Sequence, residues 1–106
     1  MTNKTSRSPR PPLAPVHPGE ILREEFILPH GLNAPRTAAL MGVPRTRIER
    51  IVREETDITP DTALRLERLF GASAEFWMNL QTRYDLLTRR SELGDSLRAI
   101  PALAGV

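Results

Sequence analysis

Residues 37–51 read Thr-Ala-Ala-Leu-Met-Gly-Val-Pro-Arg-Thr-Arg-Ile-Glu-Arg-Ile, an order that few folds accommodate. A short apolar helix ends at a glycine, and a second helix loaded with arginine begins two residues later. Two helices joined by a tight turn carry this signature. Ala38 lies four residues before Gly42 and so falls on the inner face, where a small side chain lets the second helix approach. Gly42 can adopt positive φ without a Cβ clash, as a sharp corner requires. Met41, Val43, Ile48 and Ile51 are spaced to point inward, and Pro44 pre-sets φ for the first position of the second helix. Arg45, Thr46, Arg47 and Arg50 are left on the outer side.

The charge is distributed to match. The formal net charge is only +2, yet residues 36–53 contain five Arg and a single acid, Glu49. A polyanion is held by a concentrated patch more than by a high total. A helix presenting Arg near its N-terminus, opposite an apolar face, suits the major groove of DNA. Arg45, Thr46 and Arg47 are the expected base or near-base contacts. Arg50, one turn on, reaches a base or a phosphate, and Arg53 a phosphate. Glu49 accepts from a cytosine amine or pairs with Arg45 or Arg53 four residues away. Arg36 sits near the positive end of the preceding helix, where it contacts a phosphate or remains a solvated surface charge. Glu54, Glu55 and Asp57 would repel phosphate, so the chain should turn away there.

Around this unit the pattern predicts three more helices. The first starts near Pro18 with His17 beside its cap, carries Ile21, Leu22 and Phe26 as a core stripe, and stops at Pro29 and Gly31. Asn33 caps the second, with Pro35 in its first turn. Thr59-Pro60-Asp61 opens the fourth, whose inner line is Ala63, Leu66 and Phe70, joined by Leu64 and Leu69. Ser73 caps the fifth. In that last helix Phe76, Trp77, Leu80, Tyr84 and Leu87 recur at spacings of three and four. Four short helices should close most of a core. Part of this stripe, namely Phe76, Trp77, Leu80 and Tyr84, is therefore expected to form a homodimer interface, for which aromatic anchors are preferred. Residues 1–16, rich in Pro, lack the apolar surface to offset chain entropy and read as a flexible arm. Residues 17–90 form the folded unit. Residues 91–106 read as a weakly ordered tail, in which Leu97, Ile100 and Leu103 are spaced for one amphipathic turn.

Several motifs in fixed order extend the pattern beyond the turn: His-Pro-Gly-Glu-Ile-Leu at 17–22, Gly-Leu-Asn at 31–33, Ile-Thr-Pro-Asp-Thr-Ala-Leu-Arg-Leu at 58–66, Phe-Gly-Ala-Ser-Ala-Glu-Phe-Trp-Met-Asn-Leu-Gln at 70–81 and Tyr-Asp-Leu at 84–86. The central unit resembles a helix-turn-helix of the Cro/C1 repressor type. Residues 17–90 as a whole are similar to the HigA-type (VapI-like) antitoxins of bacterial toxin–antitoxin modules. The resemblance implies an all-α, five-helix, lambda-repressor-like domain. It also implies a homodimer that binds double-stranded operator DNA and neutralises a HigB-like, ribosome-dependent mRNA endonuclease of the RelE type. Two residues depart from the family pattern. Thr37 replaces an aliphatic residue, which is expected to loosen packing. Pro44 replaces a Ser or Thr cap, which removes a side-chain cap and a phosphate contact. A stand-alone regulator without a toxin, or an interaction module that no longer reads DNA, are the competing readings.

Other classes find little support. The chain has no Cys, so disulfides, Cys-ligated zinc and thiol chemistry are excluded, consistent with a reducing cytoplasm. His17 and His30 lack further ligands at metal-site spacing and are expected to be terminal loop residues. No Gly-rich phosphate loop and no nucleophile–base pattern suggest catalysis, a cofactor or a small-molecule substrate. No apolar run approaches the roughly 18 residues of a membrane span.

Overall fold

Every long helix but one begins where a side chain can satisfy its first free N–H groups. In the computed structural model, which describes residues 14–103, six helices and no strands follow one another. The expected arm at 1–16 lies outside the described residues except for 14–16, which run without regular structure into α1. Helix α1 (Pro18–Ile21) passes directly into a π-helical segment, Leu22–Ile27. The chain continues as α2 (Ala34–Met41), α3 (Arg45–Val52), α4 (Pro60–Phe70), α5 (Ala74–Leu93) and α6 (Asp95–Arg98). Asn33, Thr59 and Ser73 cap α2, α4 and α5 with their side-chain oxygens, as their sequence positions predict. No helix among the described residues is long and apolar enough to cross a membrane.

His17 is not a terminal loop residue. It is buried at the N-cap of α1, where Nδ1 accepts the Gly19 N–H at 2.9 Å, and its ring meets Tyr84 edge-on at 4.8 Å. The π segment has its own consequence. Leu28 N–H donates to the Arg23 carbonyl, five residues back. In an α-helix, residues five apart point roughly 140° from each other. The wider π turn brings Leu22 and Ile27 to one side, and both are buried. A search at the α-helical period finds Leu22, with Ile21 and Phe26 half-buried beside it, and overlooks Ile27.

The core joins α2, α3, α4 and the first half of α5 through Ala38, Met41, Ile48, Ile51, Ala63, Leu66 and Trp77. An aromatic cluster completes it: Phe26 lies 4.8 Å from Trp77 and 5.4 Å from Phe70, and Phe76 meets Trp77 edge-on at 5.1 Å. Two expectations fail here. Leu64 is 61% exposed, because it sits about 100° around α4 from the buried Ala63. Trp77 has no exposed surface in a single chain, so its side chain has nothing left to offer a second copy and is withdrawn from the interface. Its neighbours Phe76, Leu80 and Tyr84 keep partial exposure. Thr37 does not loosen the packing: it is fully buried, and its hydroxyl donates to the Asn33 carbonyl at 2.8 Å. Helix α5 runs to Leu93, past the expected start of the tail, and α6 follows with Leu97, Ile100 and Leu103 exposed.

Candidate nucleic-acid interface

The corner between α2 and α3 is built by backbone bonds. Gly42 stands at φ 72° and ψ 33°, the left-handed region that glycine enters without strain. Val43 N–H donates to the Ala38 carbonyl at 3.1 Å and Gly42 N–H to the Ala39 carbonyl at 3.2 Å. These are the paired bonds of a Schellman ending. Pro44 occupies the cap position of α3 rather than its first turn, at φ −60°, and supplies no side-chain cap. Only its carbonyl serves the helix, accepting the Arg47 N–H at 3.0 Å.

The far end of α3 repeats this closure with a different residue. Glu54 N–H donates to the Ile51 carbonyl at 2.9 Å and Glu55 N–H to the Arg50 carbonyl at 2.8 Å, with Glu54 itself at φ 64°. A left-handed glutamate costs on the order of 1 kcal/mol relative to glycine. Its side chain offsets part of this by pairing with Arg23 at 3.6 Å. Arg23 also donates to the Val52 carbonyl, tying the π segment to the end of α3. The acidic residues after Arg53 thus form a left-handed turn that ends the helix.

Ile48 and Ile51 are fully buried beneath α3, and Val43 and Val52 are half-buried beside them. Arg45, Thr46, Arg50 and Arg53 are exposed on the opposite side, and Arg47 is half-buried. Arg36 is exposed at the start of α2. The six candidate residues separate by their partners. Arg36 and Arg50 pair with no acid among the described residues. Arg45 reaches Glu49 at 3.6 Å, and Arg53 lies 3.9 Å from Glu49 and 4.0 Å from Glu55. Glu49 therefore bridges two arginines of its own helix. An exposed ion pair contributes up to about 1 kcal/mol, whereas a bidentate guanine contact supplies about 1–3 kcal/mol of discrimination. Pairing with Glu49 leaves Arg45 available to a better acceptor.

Arg47 is held from another helix. Its Nη1 lies 2.5 Å from Asp61 Oδ2, and the same oxygen accepts from Arg65 Nε at 3.0 Å. Arg65 in turn donates to the Met41 carbonyl at 2.8 Å, at the end of α2. The Arg47 hydrogen bond, followed by that of Arg65, holds the Asp61 carboxyl below the ordinary aspartate range. Because the folded value is depressed, this pairing favours the fold at and above the usual aspartate range. The contribution disappears as pH falls through the lower folded value.

Three positions that orient α3 carry no charge pattern to announce them. Gly19 is the closest: a Cβ there would lie 1.8 Å from the Ile51 carbonyl oxygen, so only glycine lets α1 rest on the backbone of α3. A glycine inside a helical pattern, where it costs about 1 kcal/mol against alanine, was the available signal. Gln81 is buried in α5 and accepts the Ile58 N–H at 2.7 Å, while its amide donates to Asp85 at 3.0 Å. It fastens the loop after α3 to α5. Ile58 itself is buried although it lies outside any helix.

Comparison with known proteins points the same way. A helix-turn-helix family model matches residues 23–77, from the π segment to the core of α5. Virulence-associated protein I of Dichelobacter nodosus is 56% identical over 71 residues, covering 67% of this chain and 66% of that protein. The structure of the Pseudomonas aeruginosa antitoxin HigA with the higBA promoter is 41% identical, covers 84% of this chain and 98% of that one, and superposes with a TM-score of 0.81. The antitoxin GraA in complex with its operator is 37% identical, covers 92% of this chain and 100% of that one, with a TM-score of 0.82.

Proposed function

The chain belongs to the helix-turn-helix family, in the branch of the HigA-type antitoxins, which bind DNA and are not enzymes; from that premise we propose that it is an antitoxin and repressor that binds operator DNA through α3. The observation that carries this reading is the exposed row of Arg45, Thr46 and Arg50, set over an apolar face buried through Ile48 and Ile51. Arg45 and Thr46 stand in the first turn after the glycine corner, where a recognition helix meets base edges. Arg50 follows one turn later, and Arg36 and Arg53 flank the row as phosphate contacts. Residues 17–90 serve as the DNA-binding and dimerising unit.

Operator binding calls for a twofold pair of such helices spanning two half-sites. The homodimer contact is placed on α5, on what Phe76, Leu80 and Tyr84 leave uncovered together with the exposed Leu86. The protein partner of this reading is a HigB-like toxin that the antitoxin neutralises, a role supported by the similarity to antitoxins named HigA.

Binding is tested by fluorescence anisotropy on two duplexes: the DNA upstream of the protein's own reading frame and a shuffled duplex of equal composition. Arg45→Ala and Arg50→Ala are each expected to weaken upstream-duplex binding about 5- to 100-fold, the scale of a lost bidentate contact, with thermal unfolding nearly unchanged. Wild-type affinity in both variants would remove α3 from the reading role. Co-expression with the neighbouring reading frame is expected to yield a complex with a small toxin. A failure to co-purify would leave a DNA-binding regulator without a toxin.

A further inference from the structure

Among the arginines of α3, Arg47 alone is held by a carboxylate that a third helix fixes in place. Asp61 Oδ2 contacts Arg47 Nη1 at 2.5 Å and Arg65 Nε at 3.0 Å, and Arg65 is anchored to the Met41 carbonyl at 2.8 Å. When Arg47 leaves, Arg65 keeps the carboxylate where it was. Arg45 differs, because its partner Glu49 lies one turn along the same helix.

We infer that Asp61 is a specificity-determining positioning residue for the reading helix, retaining Arg47 against any phosphate and releasing it to a neutral base edge. This rests on the DNA-binding reading above. The physical reason is a difference between two acceptors. A phosphate that captures Arg47 replaces one anion by another and brings its own negative charge towards Asp61. The O6 and N7 atoms of guanine accept two hydrogen bonds from one guanidinium and bring no net charge. Asp61 therefore penalises contacts to arbitrary DNA more than contacts to the correct base. Specificity is a difference of affinities, and a repulsive element raises it as effectively as an attractive one. Arg36, a phosphate contact with no acidic partner among the described residues, supplies the sequence-independent attraction that Asp61 counterbalances.

The test measures binding to the same upstream and shuffled duplexes for wild type, Asp61→Asn, Arg47→Ala and the double variant across a salt series. Asp61→Asn is expected to tighten binding to the shuffled duplex about two- to fivefold, the scale of one exposed ion pair. Binding to the upstream duplex should change less, so the ratio of affinities falls. The salt slope on the shuffled duplex should steepen by about 0.9, because one more phosphate is neutralised. In the Arg47→Ala background, Asp61→Asn should leave the ratio unchanged, and Asp61→Glu alone should restore part of the wild-type ratio. An unchanged ratio in Asp61→Asn, or an equal loss of ratio with Arg47 absent, overturns the role of Asp61. A wild-type protein that binds both duplexes equally overturns the operator-reading function itself.

Discussion

Ile48 and Ile51 of α3 have no exposed surface, whereas α5, an amphipathic helix of 20 residues, buries only Trp77 and Gln81. Both helices carry recurrent apolar side chains, but they stand differently in the molecule. Helix α3 spans 8 residues and is covered along its length, by α2 on one side and by α1 on the other. Helix α5 has both of its buried residues in its first half, where it packs on α4 and α1, and leaves Leu86 47% exposed further along. An apolar stripe states what a helix can bury, and the number of neighbours decides how much of it is buried. The side of α5 that holds the fold is therefore distinct from the side open to another molecule.

The strongest way to break this contrast is at Trp77. Trp77→Ala should cost about 3–5 kcal/mol, the range for emptying a large buried aromatic site. Urea unfolding should show it even at concentrations where the protein is monomeric. The indole N–H is buried with no partner among the described residues, so packing against Phe26 and Phe76 is what holds the ring. A variant with wild-type stability and a lowered mass in solution would return Trp77 to the dimer contact.

Gly19→Ala addresses the other helix. The added methyl meets the Ile51 carbonyl oxygen, which belongs to backbone and cannot rotate aside. About 1–3 kcal/mol of destabilisation is expected from such overpacking. Affinity for DNA should fall with it, since α1 and α3 must separate. A melting temperature within a degree of wild type would show that α3 has more freedom than its burial implies.

The smallest effect on folding is expected at Leu86. Leu86→Ala should alter monomer stability by no more than about 0.5 kcal/mol, as exposed positions do. Sedimentation should nevertheless show dimers dissociating at higher protein concentration. Unaltered dimerisation would move the twofold contact off Leu86.

Much of the fold was legible because it is decided within a few residues. Asn33, Thr59 and Ser73 each cap an N–H three positions on, and Gly42 closes α2 with bonds no more than five residues long. The π turn at Leu22–Ile27 escaped because the sequence alternates as an α-helix would, and only the packing shows which period the backbone adopted. For the candidate site, the face of α3 could be read from periodicity. That Arg47 is held by Asp61 could not, since the two lie 14 residues apart.

The amino-acid order alone settles where helices start and stop, where the corner lies and which side of α3 is charged, because caps, left-handed glycines and helical spacing are local interactions. The tertiary structure decides that Gly19 touches Ile51, that Gln81 secures Ile58, that Asp61 holds Arg47 and that Trp77 lies inside one chain. Each of these joins elements distant along the chain, and such contacts have no local energetic signature until the helices are packed together.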